Sequence, residues 1–125
     1  MADDGFGFER LEVWQRAVEF ASLVYEMTRV FPCEELFGLT TQLRRASVSV
    51  AANIAEGASR TSRKDQARFF EIAYGSLNEM ATMLHIARLQ SLITEDVLMG
   101  ARNDILRMCR MLSGLKRAAL GGEKE

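Results

Sequence analysis

Histidine, tryptophan and proline each occur once and cysteine twice, and the charges nearly cancel, 16 Lys and Arg against 17 Asp and Glu in 125 residues. Each shortage removes a class of protein. Cys33 and Cys109 stand far apart with no second cysteine or histidine at ligand spacing, which excludes a disulfide scaffold and a zinc site. They read as small buried hydrophobes in a reduced compartment. The lone His85 falls on a polar wheel position, and no Glu stands three residues before it, as the di-metal centres of helical bundles require. Neither His-Glu-x-x-His, a Walker lysine loop, Gly-x-Gly-x-x-Gly nor Cys-x-x-Cys occurs, so no catalytic residue, cofactor or metal is expected. A net charge of −1 gives neither a cationic coat nor an acidic tail. No apolar run approaches the roughly 18 residues of a membrane span, and the acidic start Met1 to Asp4 is unlike a secretory signal. A cytoplasmic protein without membrane contact is the expectation.

What is present is helical periodicity, in four segments, with no alternating strand pattern. In the first, 11–30, Val13, Ala17, Phe20, Ala21, Val24, Tyr25 and Thr28 recur at three- and four-residue spacing until Phe31-Pro32 ends it. The second, 36–57, has a narrow stripe of Leu39, Leu43, Val50 and Ile54 amid small residues such as Ala46, Ala51, Ala52 and Ala55. Ser62, with Asp65 three residues on, starts the third, 63–90, whose inner face is Phe69, Phe70, Ala73, Leu77, Met80, Leu84 and Ala87. Gly75 within it costs about 1 kcal/mol relative to alanine, which suggests a close backbone contact. Thr94 caps the fourth, 95–119, where Glu95 and Asp96 meet the positive end of the helix dipole and Val97, Leu98, Ala101, Ile105, Met108, Leu112, Leu115 and Ala119 form the apolar side. Connections of about three to eight residues favour antiparallel neighbours. The expected fold is a single all-α domain, an antiparallel up-down-up-down four-helix bundle, with loosely ordered tails at 1–8 and 120–125.

Three constellations remain. Gln42, Arg45, Ser49, Asn53 and Glu56 lie along one stripe of the second helix, either as a hydrogen-bonded polar seam under a neighbouring helix or as a solvated face. The apolar arcs of the first and third helices exceed what one bundle core uses, leaving Phe20, Leu23, Met27, Ile72, Met83, Ile86 and Leu89 as candidates for a subunit interface. Charge, finally, is segregated: residues 1–35 carry eight acidic and three basic side chains, whereas 40–70 carry six basic and two acidic. Arg44, Arg60, Arg63, Lys64 and Arg68, with Arg102, Arg107, Arg110 and Arg117 on the outer face of the fourth helix, form clusters able to neutralise phosphates. An ordinary solvated surface accounts for the same residues. No aromatic interleaves with the arginines in sequence, so base stacking finds no support.

Several strings, read in order, give the chain a recognisable identity. They are Leu11-Glu12-Val13-Trp14-Gln15, Tyr25-Glu26-Met27-Thr28, Phe31-Pro32, Phe37-Gly38-Leu39, Gln42-Leu43-Arg44-Arg45-Ala46, Asn53-Ile54-Ala55-Glu56-Gly57 and Gly75-Ser76-Leu77-Asn78-Glu79. Across about residues 8 to 118 the sequence resembles the bacterial four-helix bundle family that includes proteins encoded by intervening sequences within 23S ribosomal RNA genes. A related member is the accessory protein of diversity-generating retroelements, a five-subunit ring that binds nucleic acid and a reverse transcriptase. The resemblance implies a cytosolic homopentamer without enzymatic activity, and packing or helix-end roles for Asn53, Glu56, Gly57, Gly75 and Ser76. Where many members carry a proline before the Asn-Ile-Ala-Glu-Gly string, this chain has Ala51-Ala52, which removes the ground for a kink.

Two functional expectations follow. The first is a self-assembling bundle ring that scaffolds another protein or a nucleic acid. The second is an RNA- or DNA-binding protein that contacts phosphates through its arginines. It stands second because the nucleic-acid-binding relatives are basic overall, whereas this sequence has a pI of about 5.9.

Overall fold

The three- and four-residue spacing becomes four α-helices in the computed structural model, which describes residues 5–121: α1 Glu12–Thr28, α2 Thr41–Ser59, α3 Arg63–Leu89 and α4 Glu95–Gly121. Each packs on the next in an up-down-up-down bundle, and α4 returns to α1 in the loosest of the four seams. The interior is one continuous apolar cluster to which every helix contributes at its predicted spacing. Val13, Phe20 and Val24 come from α1, Leu43, Val50 and Ile54 from α2, Leu77, Met80 and Leu84 from α3, and Ile105, Met108 and Leu112 from α4. Burying each such side chain contributes roughly 1.5–3 kcal/mol. Among the described residues, no buried side-chain nitrogen or oxygen lacks a hydrogen-bond partner.

The helix starts follow their caps. Ser62 Oγ accepts from the Asp65 backbone N–H at 3.2 Å, and Thr94 Oγ1 accepts from that of Val97 at 3.2 Å. The end of α3 is a Schellman turn: Leu92 N–H donates to the Ala87 carbonyl at 2.8 Å and Ser91 N–H to that of Arg88 at 3.0 Å. Its left-handed position is held by Ser91, φ 63°, where glycine is the usual occupant.

Two boundaries depart from expectation. The second helix begins at Thr41 rather than Leu36, because 36–40 forms a wide π-like turn in which Gly38 leaves helical geometry at φ −112° and ψ −115°. The Glu35 carboxylate accepts from Leu39 N–H at 3.3 Å, and Thr41 Oγ1 donates to the Leu36 carbonyl. The expected loose N-terminal tail, in turn, is tied down from Phe6 onward. Phe6 stacks on Phe8 at 5.3 Å and Phe8 meets Trp14 at 5.1 Å, while Gly7–Arg10 forms a 3₁₀ turn against α1. At the other end α4 continues to Gly121. The remainder of both expected tails, 1–4 and 122–125, lies outside the described residues.

Candidate assembly flanks and the arginine clusters

The stripe of polar residues on α2 faces α3. Ser49 Oγ and Ser76 Oγ share a hydrogen bond of 3.1 Å, and Asn53 Nδ2 donates to Ser49 O at 2.8 Å and Ser49 Oγ at 3.0 Å. The centre of the stripe is therefore a hydrogen-bonded seam, whereas its ends, Gln42, Arg45 and Glu56, are exposed. Glu56 pairs with Arg60 one turn on. Gln42, Arg45, Ser49, Ser76, Glu79 and Met83 line a shallow groove of about 580 Å³ along this α2/α3 flank.

Of the residues expected at a subunit interface, Phe20 is corrected by the structure. It sits on the inward side of α1 between Ala17 and Val24, is 4% exposed and belongs to the core. Leu23, Ile72, Ile86 and Leu89 are exposed, the last by 81%, while Met27 and Met83 are half-buried against the core. Sequence periodicity missed Val30 and Val97. Val30 follows the last turn of α1 and Val97, counted with the core side of α4, is 40% exposed. Together with Leu23 and Met27 they line an open hollow of about 890 Å³ between α1 and α4.

Within the arginine set, Arg44 is committed inside the protomer. Its Nε donates to Thr28 Oγ1 at 2.8 Å and its guanidinium lies 4.7 Å from the centre of the Tyr25 ring, clamping α2 to α1. Arg60 and Arg68 both stack on Phe69, at 4.9 and 4.5 Å, an aromatic–arginine cluster hidden from a sequence search because Arg60 reaches it across the α2–α3 turn. Arg68 also lies 3.8 Å from Asp65. Arg63 and Lys64 are exposed beside them, without an ion pair among the described residues. Arg107, Arg110 and Arg117 are exposed on α4 with no ion pair among the described residues, Arg102 is half-buried, and Lys116 pairs with Glu71 at 3.4 Å. The structure gathers Arg60, Arg63, Lys64 and Arg68 at one end of the bundle and strings the fourth-helix arginines along α4 rather than joining all nine residues in one patch.

His85 is exposed on α3, and Cys109 is buried as expected; Cys33, expected to be buried, is exposed because it lies in the α1–α2 connection. Burial pushes the Cys109 thiol pKa up. Among the described residues no three His, Cys, Asp or Glu side chains converge at metal-ligand distances, and no helix is long and apolar enough to cross a membrane.

The family model described as 23S rRNA-intervening sequence protein matches residues 9–114. Among solved structures, the chain is similar to a protein of unknown function from the S23 ribosomal protein family of Bacteroides thetaiotaomicron. Identity is 24% and the TM-score 0.78, over 84% of this chain and 95% of that one. That likeness concerns the fold. No curated protein matches this chain.

Proposed function

The chain belongs to the 23S rRNA-intervening sequence protein family, and from that premise we propose that it is a non-enzymatic, self-assembling bundle of the cytoplasm, a homopentameric ring that serves as a scaffold or interaction module. The observation that carries assembly is the open apolar furrow between α1 and α4, with Leu23, Val30 and Val97 uncovered after the protomer's own core has closed. Contiguous apolar surface rimmed by polar residues marks a protein interface. The number five comes from the resemblance to the retroelement accessory ring. Size-exclusion chromatography with light scattering at micromolar concentration is expected to give five times the 14.0 kDa protomer mass. A species of protomer mass would overturn assembly.

A second reading, nucleic-acid binding, is favoured by Arg63, Lys64, Arg107, Arg110 and Arg117, which are exposed and have no carboxylate partner among the described residues. A ring would repeat them around its axis and multiply a modest local potential. Filter binding of RNA and DNA is then expected to weaken steeply with salt. Binding at low salt no tighter than that of an acidic control protein would overturn it.

A further inference from the structure

The two flanks that remain apolar differ in charge. Because the helices follow one another around the bundle, the α1/α4 flank and the α2/α3 flank lie on opposite sides. On the first, the helices part along most of their length. The 890 Å³ hollow adjoins one of about 250 Å³ through Leu23 and Asp104, and a separate hollow of about 280 Å³ lies between the same two helices at Val13 and Gly114. Among the described residues, the banks of this furrow carry Glu19, Glu26, Asp96 and Asp104, none with an ion-pair partner, while the one cation lining it, Arg16, is held by Glu12. On the second flank Ile72 and Ile86 are exposed beside half-buried Met83. There the groove carries one cation, Arg45, and one carboxylate, Glu79, neither with an ion-pair partner among the described residues, while Arg60 and Arg68 at the end of the flank are held by Glu56 and Asp65.

Pairing the furrow with its own copy would set four unpaired carboxylates against four more, a like-charge juxtaposition that opposes association. Pairing it with the opposite flank brings one carboxylate, Glu79, in place of four, and sets the unpaired Arg45 against the furrow's acidic banks. Each flank also carries a glycine within a helix that nothing in the protomer crowds. A Cβ built on Gly75, one turn from Ile72 and Glu79, or on Gly100, in the furrow, meets no atom within 4 Å. Glycine weakens a helix relative to alanine, and its benefit is the close approach of another backbone, which here has to come from a second chain.

We propose that identical copies join head to tail, the α2/α3 flank of one seated in the α1/α4 furrow of the next. Ile72, Met83 and Ile86 cover the furrow's apolar floor, and Arg45 meets its unpaired carboxylates. The inference rests on the self-assembly reading and adds which surfaces meet. Every protomer uses both flanks once, so the contact is heterologous and closes into a ring when the rotation per subunit divides a full turn.

The test mixes two variants of the full chain, each damaged on one flank. Ile86→Glu spoils the inserted flank and Leu23→Arg the furrow, both at exposed positions. Circular dichroism checks folding, and Asp104→Arg replaces Leu23→Arg should the latter not fold. Each variant alone is expected to run at protomer mass in light scattering, and an equimolar mixture at twice that mass, because the intact furrow of one accepts the intact flank of the other. A mixture that stays at protomer mass, or a single variant that assembles like the wild type, overturns head-to-tail pairing. A wild-type chain that is itself monomeric overturns the self-assembly reading instead, so the two failures are distinguishable.

Discussion

Replacing Gly57 by alanine sets two effects of opposite sign against each other, and the structure decides between them. Gly57 lies inside α2, where alanine gains about 1 kcal/mol of helix propensity. A Cβ at this position, however, meets Phe70 Cε1 at 2.9 Å, Phe70 Cδ1 at 3.0 Å and Phe69 Cβ at 3.1 Å, whereas comfortable carbon contacts lie near 3.5–4.0 Å. Phe70 is only 5% exposed and packed in the core, and the Phe69 atom met is its Cβ, fixed to the α3 backbone, so relief requires shifting a core ring or the helix itself. Forcing apart a packed contact costs typically 1–3 kcal/mol, to which the immobile setting assigns the upper part of the range. The net loss is about 1–2 kcal/mol. For a chain of this length each kcal/mol moves Tm by about 4 °C, so thermal unfolding followed by circular dichroism at one protomer concentration is expected to show a fall of about 4–8 °C. A rise of about 4 °C, the outcome of helix propensity alone, would refute the close α2–α3 packing.

Other perturbations probe separate parts of the molecule. Gly75→Ala in an Ile86→Glu background, where assembly is blocked, is expected to raise Tm by about 4 °C, since nothing in the protomer opposes the new methyl; in the otherwise wild-type chain the same change weakens assembly in light scattering. Ser91→Gly relieves the left-handed conformation at the end of α3 and is expected to add about 1 kcal/mol in urea denaturation. Arg44→Met keeps the alkyl stem but removes the bond to Thr28 and the stack on Tyr25; a loss of about 1–2 kcal/mol is expected by the same assay, and an unchanged midpoint would exclude the clamp. Burial raises the folded-state pKa of Cys109, so its stabilising contribution is complete below the unfolded thiol value and is lost as pH rises through the folded one. Wild-type stability therefore falls more between pH 8 and 10 than that of Cys109→Ala, measured by urea unfolding at each pH.

The bundle was legible because burial on a helix repeats every three or four residues. Val13, Ala17, Phe20 and Val24 announce α1, as Leu77, Met80, Leu84 and Ala87 announce α3, and the Ser62 and Thr94 caps mark where α3 and α4 begin. The site was less legible. Phe20 looked like interface because a wide apolar arc does not say where the core side stops. Val97 looked like core for the same reason, since only the looseness of the α1–α4 seam uncovers it. Arg44 looked available for phosphate because its partners, Thr28 and Tyr25, are 16 and 19 residues away in the chain. Phe69 looked like plain core because nothing local says that Arg60 folds over it.

The sequence by itself determined the four amphipathic helices, their antiparallel order and the family, since each follows from local spacing, caps and short connecting segments. Only the tertiary structure decided how the helices are spaced around the core: tight between α2 and α3, where Gly57 meets Phe70, and open between α1 and α4, where a furrow edged with unpaired carboxylates remains. The physical reason is range. Periodicity records which side of one helix avoids water, whereas the width of a seam depends on side chains from two helices far apart in the chain and on whether their volumes fill the space between them.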